Sequence, residues 1–461
     1  LEIVAVGLGQ AGGNLAAEFF RRGYRAMALN TAHTDLATLA PGGPNSALPV
    51  EQRIYVGIDG YDGAGADLNY GRDCIAEHAD KIREAVAAHC AGADIVMLCA
   101  GFGGGTGSSL SALVETLKDL SLPIVALTTL PHEHESGIAK VNAVRAVNAL
   151  VKCSLLGWIL IDNSLLSQVH GDISLDQYYE KINRVIVAPL DDLNNLNYRQ
   201  DARALRPLDG EDLRSLLLSG GVLNYALGEL PKLSVDSVLQ AVRESMQYNA
   251  IAPRGFALDR VSYLGLVIEA TDEMLKETPF SFFEQINQQL KEETGGAAIY
   301  MGIYRVQQPK GLPVAWRLVC SSQRLPDGIQ EVVAHAQREG NALREKIQQQ
   351  VPQLELGDIE SLDLFRTHVR SDASKSPSRR PPPRPNLTVE SPTLSLMQKA
   401  GHPVRSKPTA TSGFGEPSST SEAGVVEVAS GTGGDAAKES LPPPAKFSSE
   451  VDRDTYFRLA E

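Results

Sequence analysis

The sequence predicts a doubly wound α/β fold with a mostly parallel sheet, a central connecting helix, a smaller α+β domain and a disordered C-terminal tail. Three observations carry this prediction. From residue 1 to about 170, continuous apolar runs of strand length alternate with helical patterns, as expected of parallel strands buried on both faces. Two of those runs end in glycine-rich turns that lead into helices, GLGQAGGN at 7–14 and GFGGGTGSS at 101–109. Beyond residue 213 the spacing shifts toward alternation, and beyond about 368 apolar periodicity is lost.

The strands of the first region read IVAVGL (3–8), YRAMALN (24–30), RIYVGI (53–58), ADIVMLCA (93–100), LPIVALTTL (122–130) and GWILIDN (157–163). Helices are expected between them at Gly13–Arg22, Gly71–His89 and Ser109–Leu120. Residues 174–195 have helical spacing through Tyr179, Ile182 and Ile186, with Pro189 expected to bend or end the helix. Between 213 and 325, LRSLLLSGGVLNYALGEL and DSVLQAVRESMQYN contain helical runs, whereas VSYLGLVIEA, AAIYMGIYRV and VAWRLVCSS alternate as strands of a mixed or antiparallel sheet. Residues 329–350 read as one more helix despite Gly340. The Pro-rich SKSPSRRPPPRPN and the small polar stretches after it cannot supply a core, so 370–445 is expected to be disordered. The last stretch, EVDRDTYFRLAE, restores aromatic and aliphatic residues, as a docking peptide would, or as an end that packs nowhere. The expected units are 1–173, 174–204, 205–328, 329–369, 370–445 and 446–461.

Composition narrows the function. The 461-residue chain has a formal net charge of -13, so no direct nucleic-acid partner is expected. Its five cysteines are scattered and form no CxxC, which argues against a disulfide framework or a zinc site and for reduced thiols in the cytoplasm. No run of 18 apolar residues reads as a membrane span, and LEIVAVGLG is strand-like rather than a secretory signal pattern.

Glycines at a strand-to-helix turn let backbone amides approach a phosphate, and the helix N-terminus adds positive potential. The first turn is a GxGxxG pattern, weak on its own, and the second strand ends in Asn30-Thr31 where a dinucleotide fold places an acid. The second turn adds the hydroxyls of Thr106, Ser108 and Ser109, which suits a diphosphate or triphosphate. No lysine follows its glycines, so it is not a Walker loop. Each turn alone is also compatible with tight helix packing; together, at strand ends of one sheet, they describe a phosphate nest. The histidines of HEHE, His132 and His134, have no convincing third partner and read as a solvated loop, so no metal-ligating residue is expected.

GGGTGS, Gly103 to Ser108, resembles the signature loop of the tubulin/FtsZ superfamily, and about 1–325 follows that family's order, as in a divergent prokaryotic FtsZ-like or tubulin-like protein. The resemblance implies GTP or GDP as ligand, with Mg²⁺ held mainly by phosphates and water. It also implies a longitudinal homopolymer in which the next subunit completes the hydrolytic site. Gly9, Gln10, Ala11, Gly12 and Asn14 resemble the first nucleotide loop, Asn30 and Thr31 the second, and Gly63, Ala64, Gly65 and Ala66 the third, which senses the terminal phosphate. Gly103, Gly104, Gly105, Thr106, Gly107 and Ser108 form the signature loop. Glu135 stands where the family has its ribose-contacting glutamate, and Asn163 where an asparagine touches the base. Tyr179 and Asn183 resemble the central-helix pair of tubulin, one stacking on guanine and one reading its edge. The residues also allow plainer roles: a helix cap for Asn14, a turn cap for Asn163, a solvated carboxylate for Glu135, and core packing for Tyr179 with an interhelix hydrogen bond for Asn183.

Asp209 and Asp212, in LRPLDGEDLRSLL, stand three apart at a helix start. On pattern alone, helix capping accounts for them well. The resemblance implies instead the catalytic acids inserted into the neighbour's nucleotide pocket. Two departures bear on hydrolysis. Pro207 replaces the asparagine of that acidic loop, and Ala139 followed by Lys140 replaces an arginine after the ribose glutamate. The linker and end peptide resemble FtsZ more than tubulin, which implies a regulator or membrane tether at TYFRL, 455–459.

Overall fold

The structure, a computed structural model, describes residues 1–41, 48–58, 60–170, 174–249, 251–307 and 311–350. The expected disordered linker at 370–445 and the end peptide at 446–461 lie outside the described residues. The first region runs β1 (Ile3–Leu8), α1 (Gly9–Arg21), β2 (Arg25–Asn30), α2 (His33–Thr38), β3 (Arg53–Tyr55), α3 (Leu68–Glu77) and α4 (Ala79–His89). It continues through β4 (Ile95–Gly101), α5 (Gly105–Ser108), α6 (Leu110–Leu117), β5 (Ile124–Leu130), α7 (Gly137–Leu150), β6 (Gly157–Asp162) and α8 (Asn163–His170). Then come α9 (Leu175–Asn195), β7 (Ala202–Arg206), α10 (Gly210–Leu217), β8 (Val222–Leu230), α11 (Val235–Gln247) and β9 (Val261–Thr271). The described chain closes with α12 (Asp272–Glu277), α13 (Ser281–Glu293), β10 (Ala298–Val306), β11 (Val314–Ser322) and α14 (Gly328–Gln350).

The strands form one 11-stranded sheet in the order β3-β2-β1-β4-β5-β6-β8-β11-β9-β10-β7. The run from β3 to β8 is parallel throughout, and antiparallel pairs enter only around β11 and at the β7 edge. Alternate side chains of each central strand feed opposite faces. Val4, Val6 and Leu8 join a core roofed by α3, α4, α6 and α7, whereas Ile3 and Ala5 join one roofed by α1 and α9. Both faces are dry, which is why these strands read as unbroken apolar runs. Chain direction puts the turns after β1 and β4 at the same carboxyl edge of adjacent strands, with Leu8 opposite Ala100.

The α/β expectation holds, with local differences. The first helix starts at Gly9, inside the glycine loop, and the 71–89 helix is two, divided at His78. Val222–Leu230 is a fully fledged strand, β8, bridging the two halves of the sheet through Trp158 and Ile159. Its helix-compatible Leu and Ala spacing hid a strand buried on both faces. Pro189 does not end α9, which runs to Asn195 with Ile182, Val185, Ile186, Leu190 and Leu193 packed into the core. Tertiary burial outweighs the hydrogen bond that proline removes.

Candidate functional site

Five loops converge at the carboxyl edge of β1, β2, β4 and β5, and they are stitched to one another. A Cβ on Gly12 would lie 2.9 Å from the carbonyl carbon of Cys99 and closer still to its oxygen, so α1 is seated directly on β4. A Cβ on Gly107 would likewise run into the Gly101 carbonyl. Only glycine permits that approach. Gly9 and Gly107 face each other across the two loops, with a Cβ built on Gly9 3.0 Å from Gly107 N. The Thr31 and Thr106 hydroxyls share a buried 2.7 Å hydrogen bond that ties the second loop to the signature loop. Gly63 N donates to Thr31 O at 2.9 Å, which brings in the third loop.

The signature loop is closed from within. Gly103 N donates to Ser108 Oγ at 2.9 Å, and Ser109 Oγ donates to Thr106 O at 2.6 Å. Gly105 packs under the third loop, where an added Cβ would lie 2.7 Å from that of Ala64. Gly104 is exposed at the loop's crest, as are Gln10 and Ala11 at the start of α1, and Gly65 in the third loop. Neither α1 nor α5 has an acid in its first turn, so the positive ends of both are uncompensated. Asn14 is buried on α1 and its Oδ1 has no protein partner. A glycine-lined cradle of backbone amides fits a bound polyphosphate, which accepts from N–H groups, whereas the orphaned Asn14 Oδ1 needs a donor that phosphate does not offer. Cys99, at the base of the cradle, is held as a neutral thiol because burial raises its pKa.

The other expected residues fall around this cradle. Glu135 accepts from His132 N at 2.8 Å through one oxygen, and its other oxygen lies 3.5 Å from where a Cβ on Gly103 would be. His132 is fixed by Ser167 and by His134 N, so HEHE is a tied loop, and no metal-holding group of three His, Cys, Asp or Glu occurs among the described residues. Asn163 starts α8, but the cap is Asp162, whose Oδ1 accepts from Ser164 N at 2.9 Å. Burial pushes the Asp162 carboxyl above the usual carboxylate range, against the opposing hydrogen bonds of Ser164 and Leu165. Asn30 is turned inward, accepting from Ala32 N and donating to Asp35, so its side chain shapes the second loop. Tyr179 is 60% exposed, not a core residue, and Asn183, one turn on, is buried.

The direction of α9 follows from its far end. Asp191 accepts from Arg22 and Tyr24, and Asn194 binds the backbone of Leu1, all at the amino edge of β1. The start of α9, with Tyr179 and Asn183, therefore points toward the glycine loops.

Residues 2–171 match the family model described as Tubulin/FtsZ family, GTPase domain. The chain is 29% identical over 315 residues to the tubulin-like protein CetZ of Pyrococcus abyssi, covering 66% of this chain and 81% of the relative. It is 26% identical over 291 residues to the cell division protein FtsZ of Coxiella burnetii, covering 63% of this chain and 70% of the relative. Among solved structures, the GTPγS-bound protofilament of CetZ2 from Haloferax volcanii superposes with a TM-score of 0.59 at 22% identity, over 75% of this chain and 100% of that one. A GTPγS-form protofilament of TubZ from Bacillus thuringiensis serovar israelensis gives 0.62 at 18% identity, over 76% and 95%.

Residues 2–171 carry the match to the tubulin/FtsZ GTPase domain, and the similarity to CetZ and FtsZ extends beyond it.

In this chain the acidic pair lies far from its own cradle. Asp209 and Asp212 form a reciprocal capping box at the start of α10, with Asp212 N donating to Asp209 Oδ1 at 2.9 Å and Asp209 N to Asp212 Oδ2 at 3.3 Å. Gly210 packs beside Leu1, before the amino end of β1, whereas the glycine loop leaves its carboxyl end. At about 3.3 Å per residue, the six residues of β1 alone separate them by roughly 20 Å.

One residue near the cradle escaped the sequence reading. Asn142 is buried on α7 and donates both amide hydrogens, to Ala66 O at 2.8 Å and to Gly103 O at 3.0 Å. It locks the third loop to the signature loop and holds Ala66 at a φ of 64°. Its partners are 76 and 39 residues away in sequence, and no local pattern marks it. Lys140, beside Ala139 in the place of the family's arginine, is buried and ion-paired with Glu339 of α14.

Proposed function

We propose that this chain is a cytoplasmic, GTP-binding cytoskeletal protein that polymerises head to tail, with GTP hydrolysis completed by the acidic loop of the neighbouring subunit. The observation that carries this reading is the polar separation of the two halves of the site: amides and hydroxyls at the carboxyl edge of β1 and β4, the exposed Asp209 and half-buried Asp212 carboxylates beyond the amino edge. One molecule cannot bring its own acids to its own cradle, but a second copy stacked on the first can. CetZ2 and TubZ, both solved as protofilaments in GTPγS form, support it by analogy.

On this reading the amides of Gly9, Gln10, Ala11 and Gly12 and of Gly104 to Ser108 bind the phosphates, and Asn14 Oδ1 accepts from a donor on the nucleotide's sugar or base rather than from phosphate. Ala64, Gly65 and Ala66 meet the terminal phosphate. Glu135 holds the ribose, Asn163 and Asn183 read the base edge, and exposed Tyr179 stacks on the purine. Mg²⁺ would be carried by phosphates and water and would neutralise charge on the leaving diphosphate. Asp209 and Asp212 of the next subunit orient a water in line with the terminal phosphorus. As that phosphorus–oxygen bond breaks, GDP leaves and the water's proton passes to a carboxylate or to solvent.

A second reading, GTP-dependent assembly with little hydrolysis, draws on Lys140. Its ammonium is held by Glu339 rather than left for phosphate, and Pro207 offers no side-chain amide. The test is Asp212→Asn, which removes the charge yet keeps an acceptor for the capping box. We expect unchanged GTP affinity and melting temperature and a fall in phosphate release per polymerised subunit. A wild-type rate in that variant removes Asp212 from the mechanism; a wild-type chain that assembles without releasing phosphate selects the second reading.

A further inference from the structure

The acidic loop raises a question of placement. Asp209 and Asp212 are tied to each other, and Pro207 lacks the N–H and the side-chain amide that would anchor the loop from its own sequence. The anchor comes from two other elements. Leu208 N donates to the Tyr304 hydroxyl at 2.9 Å. Tyr304 Oη in turn donates to Asn197 Oδ1 at 2.7 Å, and Asn197 Nδ2 donates to Leu208 O at 2.6 Å. The three bonds form a closed ring in which every donor and acceptor is correctly matched, an arrangement whose members polarise one another.

Both backbone groups of Leu208 are therefore held, and its side chain is buried in the core as well. The loop is pressed onto β10 so closely that a Cβ on Gly302 would lie 3.1 Å from Leu208 Cβ and 3.3 Å from Leu208 N. The next residue, Asp209, is exposed. Tyr304 itself is 1% exposed, at a position where phenylalanine would fill nearly the same space. Burial, joined by the nearby Glu269, Asp212 and Asp209 carboxylates, raises the phenol's pKa and keeps its proton available as a donor. Asn197 follows directly on α9, in the 196–198 turn, so the same ring ties the acidic loop to the end of the central helix.

We infer that Tyr304 and Asn197 are positioning residues for hydrolysis, forming a hydrogen-bonded clamp on Leu208 that sets where Asp209 and Asp212 are presented to the next subunit's nucleotide. This rests on the proposed assembly-completed GTPase. The acids touch the reacting water; Tyr304 and Asn197 act only through them. A small displacement of catalytic groups lowers the rate without touching nucleotide affinity, because the nucleotide is bound by a different end of a different subunit.

The test compares the full chain with Tyr304→Phe and Asn197→Ala, the second at an exposed residue. Monomer affinity for GTP, sedimentable polymer with GTPγS, and phosphate release per polymerised subunit are measured for each. We expect affinity within about twofold of wild type and release lowered by about tenfold in Tyr304→Phe and somewhat less in Asn197→Ala, as a kcat effect at constant KM. A purely structural role would lower melting temperature or polymer mass and leave release per polymerised subunit unchanged, and that result in both variants overturns the inference alone. No assembly-linked release from the unaltered chain overturns the function beneath it, and the inference with it.

Discussion

Removing the Asn142 amide is the sharpest test of how the cradle is held. Its Nδ2 serves Ala66 O and Gly103 O at once, and the side chain is 3% exposed. Each neutral hydrogen bond contributes about 1 kcal/mol net, and leaving a buried carbonyl without a partner costs about 1 kcal/mol or more besides. The Gly103 carbonyl lies in a buried loop, whereas half-buried Ala66 is open to water, so Asn142→Ala should cost about 2–3 kcal/mol in total. The loss has a direction. Ala66 sits at a φ of 64°, a conformation costing about 1–2 kcal/mol for a residue with a Cβ. Freed of Asn142, the third loop should relax away from the signature loop. GTP affinity should then fall by about tenfold, equivalent to about 1.4 kcal/mol. Thermal unfolding reads the first quantity and titration with a fluorescent GTP analogue the second. Asn142→Asp, which sets an acceptor against two carbonyls, should be worse than alanine in both. An alanine variant with wild-type melting and affinity, or an aspartate variant better than alanine, refutes the reasoning.

Gly12→Ala must open the α1–β4 seat by about 1 Å to clear the Cys99 carbonyl oxygen, and overpacking of that kind costs about 3 kcal/mol or more; nucleotide titration should show binding lost before the fold is. Glu269 pairs with Arg317, both about 5% exposed, and with Arg199; Glu269→Ala should destabilise by on the order of 2 kcal/mol in denaturant unfolding, because the buried Arg317 guanidinium loses one of two carboxylate partners and keeps only Asp192. The Asp162 carboxyl has a raised pKa in the folded chain, so its contribution to stability is full below the ordinary carboxylate pKa and is lost as pH rises through the raised value. Asp162→Asn keeps an acceptor for Ser164 N and carries no charge, so its melting temperature should fall less than that of wild type across that window.

The glycine-lined loops were legible because their requirement is local. Gly12 and Gly107 must be glycine to let one backbone touch another, and that need is written at the position itself. The strands of the first region were legible for a similar reason, since burial on both faces leaves continuous apolar runs. β8 was not, because VLNYALGEL suits either a buried strand or a helix until its neighbours β6 and β11 are known. The persistence of α9 through Pro189 depends on what covers it. Asn142, Asn197 and Tyr304 act through partners 11 to 107 residues distant, and nothing in their own neighbourhoods announces it. Asp209 and Asp212 show the converse. Their pattern reads as a capping box, and the structure forms one, while their place beyond the amino edge of the sheet supports a role that the pattern does not carry.

Steady-state phosphate release from GTP, measured against protein concentration, tests the central claim most directly. If the cradle of one molecule needs the carboxylates of another, release should stay near baseline below a threshold and then rise, with polymer appearing at the same concentration. A straight line through the origin, with no change on passing into the polymerising range, would mean that single molecules cleave GTP unaided and would contradict the account.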